Sequence, residues 1–99
     1  MKVEITGYSL EEGYLIIYAT NLDAYEDNVF DRNRIDDPDD YAVEFHFDTK
    51  NDPVVCAYVS RWLHANKACK GSKNYGEALR AIIGTVTILK KEYLQFRAA

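Results

Sequence analysis

Three residues on alternate positions, Glu44, His46 and Asp48, have the types needed for proton transfer. In an extended segment they project from one face, and a carboxylate beside an imidazole is the minimum equipment for general acid–base work. A polar outer face of an antiparallel sheet carries the same pattern with no chemistry attached. No G-x-S-x-G or comparable nucleophile motif accompanies the histidine, so the expectation is a protein that is not an enzyme.

Metal chemistry fits no better. An EF-hand loop needs oxygen ligands at positions 1, 3, 5 and 12, with glycine at 6. Counting from Asp31 supplies Asp31 and Asn33, then Ile35, Asp36 in place of the glycine and Ala42 in place of the last carboxylate. The zinc-ligand types are His46, Cys56, His64 and Cys69, without the close pair a zinc site uses. On one helix Cys56 and His64 would stand roughly 12 Å apart. No metal or cofactor is expected.

The segment Lys67-Ala-Cys-Lys-Gly-Ser-Lys-Asn74 is basic and precedes a capping signal. Backbone amides at a helix start, flanked by lysines, suit a phosphate. The spacing departs from a P-loop, because Ser72 precedes Lys73. An overall pI of about 5.1 argues against a dedicated nucleic-acid binder.

Charge is the strongest signal. The net charge is −4 over 99 residues, but it is segregated. Residues 1–52 carry 14 acids and 4 bases, whereas residues 53–99 carry 2 acids and 8 bases. The acidic density peaks in Asp23, Glu26, Asp27, Asp31, Asp36, Asp37, Asp39, Asp40, Glu44, Asp48 and Asp52, with Tyr25, Phe30 and Tyr41 interleaved. Carboxylates on a folded scaffold approximate the phosphate spacing of a nucleic acid, and aromatic rings supply desolvated anchors. Such a surface steers docking onto a basic cleft. The contact surface predicted on these grounds is Asp27, Asp31, Asp36, Asp37, Asp39 and Asp40 with Tyr25, Phe30 and Tyr41.

The elements that must carry these residues follow from periodicity. Alternation over residues 2–10 places Val3, Ile5 and Gly7 on one side and Glu4, Thr6 and Tyr8 on the other. Glu11-Glu12-Gly13 turns the chain, and the β-branched and aromatic run 14–20 returns it as a hairpin. Residues 21–40 hold neither period and read as a long acidic loop, with Leu22, Ala24, Val29 and Ile35 among its few anchors. Val43, Phe45 and Phe47 alternate as a third strand.

Asp52-Pro53 has N-cap and first-turn chemistry, and Val55, Tyr58, Val59, Trp62 and Leu63 recur at helical spacing up to about Asn66. Asn74 and Glu77 have capping-box spacing. From there Leu79, Ile82, Ile83, Val86, Leu89, Tyr93 and Phe96 keep one helical face to the end, although the β-branched run after Gly84 leaves a strand from about Thr85 open. The expected architecture is one α+β domain over residues 1–99: a three-stranded antiparallel sheet packed against two C-terminal helices.

No stretch is long and apolar enough for a transmembrane helix. The start Met1-Lys2-Val3-Glu4 lacks the apolar run of a signal peptide, and two cysteines are too few for a secreted disulfide scaffold. The expected location is the cytoplasm of a bacterium or of an infected host cell.

In size, acidity and tyrosine content the chain resembles the small phage-encoded inhibitors of bacterial defence nucleases, the anti-restriction and anti-CRISPR proteins. The likeness is one of composition and transfers no residue roles. It implies an acidic inhibitor that occupies the nucleic-acid site of a larger protein. The alternative is an accessory subunit or homo-oligomer that meets nucleic acid or an acidic partner through Lys67, Lys70, Lys73, Lys90 and Lys91.

Overall fold

The computed structural model describes residues 1–23 and 41–97. Five strands, β1 (Lys2–Glu11), β2 (Tyr14–Asn21), β3 (Ala42–Asp48), β4 (Val86–Ile88) and β5 (Leu94–Arg97), form one antiparallel sheet in the order β4-β1-β2-β3-β5. Helices α1 (Pro53–Ala65) and α2 (Tyr75–Ala81) fall between β3 and β4 in the chain. The general α+β class agrees with the sequence reading, and the strand count does not.

The β1–β2 turn is the two-residue loop Glu12-Gly13, with φ of 49° and 84°. Two consecutive positive φ values give a hairpin turn the right-handed twist its strands need. Gly13 is also required by space, since a Cβ there would lie 2.7 Å from the Cβ of Lys50. Its carbonyl accepts from the Thr49 amide at 3.1 Å and from the Thr49 hydroxyl, tying the turn to the end of β3.

Strand alternation is interrupted once. A bulge between Ile5 and Gly7 sets Gly7 opposite Tyr18 and Tyr8 opposite the buried Ile17. The sequence reading placed Gly7 with Ile5 and Tyr8 with Glu4. The extra residue reverses both, turning Tyr8 towards the core and Gly7 outwards. The Tyr18 ring flanks Gly7 across the pair, 3.8 Å from where a Cβ would stand, an ordinary van der Waals contact.

The core lies on one side of the sheet. Val3, Ile5, Leu15, Ile17, Ala19, Val43, Phe45 and Phe47 pack there against Val59, Trp62 and Leu63 of α1, Ala78 and Leu79 of α2, and Ile82 and Leu89. Helix α1 starts where its chemistry requires: the Asp52 carboxylate accepts from the amides of Val54 and Val55 at 3.0 and 3.2 Å, with Pro53 in the first turn. The Trp62 indole donates to Thr87 Oγ1 at 2.8 Å and pins α1 to β4. Phe47, Tyr58 and Tyr93 form an aromatic cluster, with Tyr93 centred 5.0 Å from Phe47 and 4.9 Å from Tyr58.

The long C-terminal helix expected from Leu79 to Phe96 is not formed. Helix α2 ends at Ala81, Ile82 caps it, and Gly84 turns the chain at φ 87°. Thr85, Val86, Thr87 and Ile88 are β-branched and lose side-chain freedom in a helix, so they pair with β1 instead. A 3-10 turn over Lys91–Tyr93 then leads into β5 on the far edge. No helix among the described residues is long and apolar enough to cross a membrane.

Candidate functional site: the uncovered face of the sheet

Both helices cover the same side of the sheet, so the side chains alternating with the core set point away from them. Following the register, that outer face carries Glu4, Gly7, Ser9 and Glu11 on β1, Tyr14, Ile16, Tyr18 and Thr20 on β2, and Glu44, His46 and Asp48 on β3. Tyr14 and Tyr18 remain 42% and 37% exposed. Of this set four are acids and none is lysine or arginine; Lys2, opposite Ile88, continues the β1 row at the β4 end.

At its centre the face holds a hydrogen-bonded chain. His46 Nε2 lies 3.1 Å from Glu44 Oε1, and His46 Nδ1 lies 3.0 Å from the Tyr14 hydroxyl. The Tyr14 and His46 rings meet edge to face at 5.6 Å. With a neutral ring, Nε2–H donates to Glu44 and Nδ1 accepts from Tyr14; with a protonated ring, both nitrogens donate. Either way Glu44 and Tyr14 lock the orientation of His46.

Of the three residues Glu44, His46 and Asp48, the structure joins the first two. Asp48 is committed to the β3–α1 turn, accepting from the Asn51 amide at 3.0 Å and the Asn51 side chain at 3.3 Å. Ser9 shares the face, but Ile16 stands between it and His46. Two strand spacings, about 10 Å, keep that hydroxyl out of reach of the imidazole. A depression of about 510 Å³ adjoins Tyr14, lined by Ser9, Glu11, Glu12, Tyr14 and Ile16. It offers two carboxylates and an aromatic ring, the chemistry of a surface for cations.

Among the predicted contact residues, Asp27, Asp31, Asp36, Asp37, Asp39, Asp40, Tyr25 and Phe30 lie outside the described residues, as does most of the EF-hand-like stretch. Tyr41 is half-buried just before β3. The sheet residues Glu4, Glu11, Tyr14 and Tyr18 were not among those predicted. Their signal was the alternation Tyr14, Ile16, Tyr18, which fixes an outward row once β2 is paired on both sides.

The remaining candidates stay apart. Among the described residues no three His, Cys, Asp or Glu side chains gather to hold a metal. Cys56 is exposed on α1, while Cys69 is half-buried, its Sγ donating to the Ala78 carbonyl at 3.4 Å. Burial pushes the Cys69 thiol above its ordinary 9.0.

The basic connection folds as a 3-10 turn over Lys67–Cys69. The start of α2 is closed by its own side chains: Asn74 accepts from the Glu77 amide at 2.9 Å, and Glu77 accepts from the Lys73 amide at 2.6 Å. This is a variant of the capping box read from the sequence, with Glu77 bonding the amide before the N-cap, and it puts a carboxylate at the helix start, where a phosphate would otherwise sit.

No family model, no curated protein and no solved structure matches this chain.

Proposed function

We propose that the protein is a non-enzymatic binding protein whose outer sheet face, together with the acidic segment that precedes β3 in the sequence, occupies a basic surface on a larger protein. The observation that supports this most is the separation of charge between the two sides of the fold. The sheet face presents Glu4, Glu11, Glu44 and Asp48 around Tyr14 and Tyr18. The helical side and its connections present Arg61, Lys67, Lys70, Lys73 and Arg80, all exposed. Among the described residues none of these five bases is ion-paired to a carboxylate of the sheet; the pairs there are Glu44 with His46 and Lys90 with Glu92. Among the described residues, then, these five bases do not neutralise the acids of the face.

Exposed tyrosines ringed by carboxylates suit recognition of arginine and lysine on a partner. Asp27, Asp31, Asp36, Asp37, Asp39 and Asp40, which precede β3 in the sequence, would extend such a surface into a mimic of a run of phosphates. An inhibitor of a nucleic-acid-processing enzyme, of the kind phages direct against anti-phage nucleases, is the class of protein that uses one.

The test uses three baits against nuclease-treated bacterial lysate: the native protein, a sheet-face reversal (Glu11→Lys with Glu44→Lys) and a helical-side reversal (Lys67→Glu, Lys70→Glu and Lys73→Glu). The proposal expects one basic protein captured by the first and third baits and lost from the second. Capture that survives on the second bait but fails on the third would overturn it in favour of the basic side as the working surface. Steeply salt-dependent retention of mixed nucleic acids on a filter would point the same way.

A further inference from the structure

Strand β4 ends the sheet, and among the described residues nothing pairs with the outer side of its backbone. Leu89 and Met1 exchange hydrogen bonds, the Leu89 amide donating to the Met1 carbonyl at 3.0 Å and the Met1 nitrogen to the Leu89 carbonyl at 2.9 Å. Antiparallel pairing alternates, so Thr87, opposite Val3, is the next residue bonded to β1, and Val86 and Ile88 turn their N–H and C=O groups away from the sheet. Their side chains lie on the outer face, 53% and 70% exposed. Protein edges are ordinarily guarded by a charge, a proline or a bulge on the strand itself. Val86-Thr87-Ile88 has none of these.

We infer that this edge pairs with the same edge of a second copy of the chain, antiparallel about a two-fold axis passing between the two Thr87 residues. The outward-turned residues are the ones that must exchange bonds, so Val86 of each chain pairs with Ile88 of the other, giving four hydrogen bonds. The register is self-complementary, as an isologous contact requires. Both side chains of each pair stand on one face and meet as apolar cross-strand neighbours.

Charge selects the second copy over an unrelated strand. On β1, Glu4 lies opposite Val86 and Lys2 opposite Ile88. Each row across the joint then runs Glu4, Val86, Ile88 and Lys2, with the last two from the other copy. An apolar pair is flanked by opposite charges in both rows, and no like charges face each other. Lys90 is drawn aside, its ammonium 5.3 Å from the Tyr58 ring centre.

Two copies joined this way make a ten-stranded sheet with both acidic faces on the same side. The inference stands apart from the proposed function: a monomer would leave the sheet-face reading intact, and loss of that reading would leave the joint intact.

Three seam residues are too few for tight association, well below the area of a standard interface. The expected behaviour is a reversible dimer whose average mass rises with concentration towards the millimolar range, and which Ile88→Lys returns to monomer.

Register is tested with Cys56→Ser proteins carrying Val86→Cys or Ile88→Cys. Bonded partners across a strand pair lie about 5.5 Å apart at Cα, within disulfide reach, whereas identical positions are diagonal and farther. Oxidising the mixture should give at least tenfold more disulfide dimer than either variant alone. A mass that stays monomeric throughout, or cross-linking as efficient in either variant alone as in the mixture, would overturn the inference.

Discussion

His46 is held at both ring nitrogens, by Glu44 on its own strand and by Tyr14 on the neighbouring one. A histidine fixed in this way is a rigid part of the surface, and the Ser9 hydroxyl on the same face stands two strands away from it. The cysteines give a check at the same scale. Cys56 is exposed, whereas the Cys69 thiol is raised by burial and donates to a carbonyl. Only the thiolate is nucleophilic, so a thiol reagent at pH 8 should modify one cysteine per chain quickly, at Cys56, and Cys69 at least tenfold more slowly. Equal rates at the two positions, read by peptide mass, would contradict the packing described around Ala78.

The β1–β2 hairpin is the element on which the outer face depends, because it sets Tyr14 opposite Asp48 and Ile16 opposite His46. Its turn tolerates little. Gly13→Ala would force a Cβ into Lys50 at a positive φ, and a loss of about 1–3 kcal/mol in unfolding free energy is expected. Denaturant titration measures it; an unchanged midpoint would show that the turn is not tied to β3 as described.

This hairpin and α1 were legible in the sequence because their signals are local: period-two alternation, a glycine at the turn, Asp52-Pro53 at the cap. The last third was not. Leu79, Ile82 and Leu89 are buried at spacings a helix also allows, but Val86 and Ile88, in the same stretch, are exposed on a strand. Gly84 and the β-branched run carried the competing signal, and what decided between them was an open edge on β1, which is long-range information. The bulge at Thr6 escaped for the same reason, since only the partner strand shows the skipped position. Of the candidate site, Glu44 and His46 were readable as neighbours on one strand, and Tyr14 was not, because it reaches them through sheet register.

At the scale of the whole molecule, the acid-rich first half of the chain supplies the three adjacent strands whose outer face neither helix covers, and the base-rich second half supplies the helices behind them. Stability should follow weak acids that the fold partly desolvates and that therefore resist ionisation. Burial raises the Cys69 thiol above 9.0, and the phenols of Tyr75 and Tyr93 above 10.0. Glu92 adds to the effect at Tyr93; at Tyr75 a hydrogen bond with Thr49 opposes it.

For each group the unfolded chain loses its proton first, so the folded state binds more protons in the alkaline range and unfolding free energy falls as pH rises. The loss begins near pH 9 and is complete above the raised folded values. Urea midpoints should therefore drop between pH 8.5 and 11, and Tyr93→Phe should flatten part of that drop. A midpoint independent of pH over this range would mean that the aromatic cluster is not packed as described.

The central claim is that the bare acidic face is the working surface. Its most direct test is the affinity of the captured partner for Glu11→Lys with Glu44→Lys, measured beside the native protein at fixed ionic strength, with both shown to be folded by their unfolding midpoints. Removing two carboxylates and installing two lysines within one contact should weaken binding at least a hundredfold, since like-charge juxtaposition costs several kcal/mol. Affinity within twofold of the native value would contradict the claim and place the working surface elsewhere on the molecule.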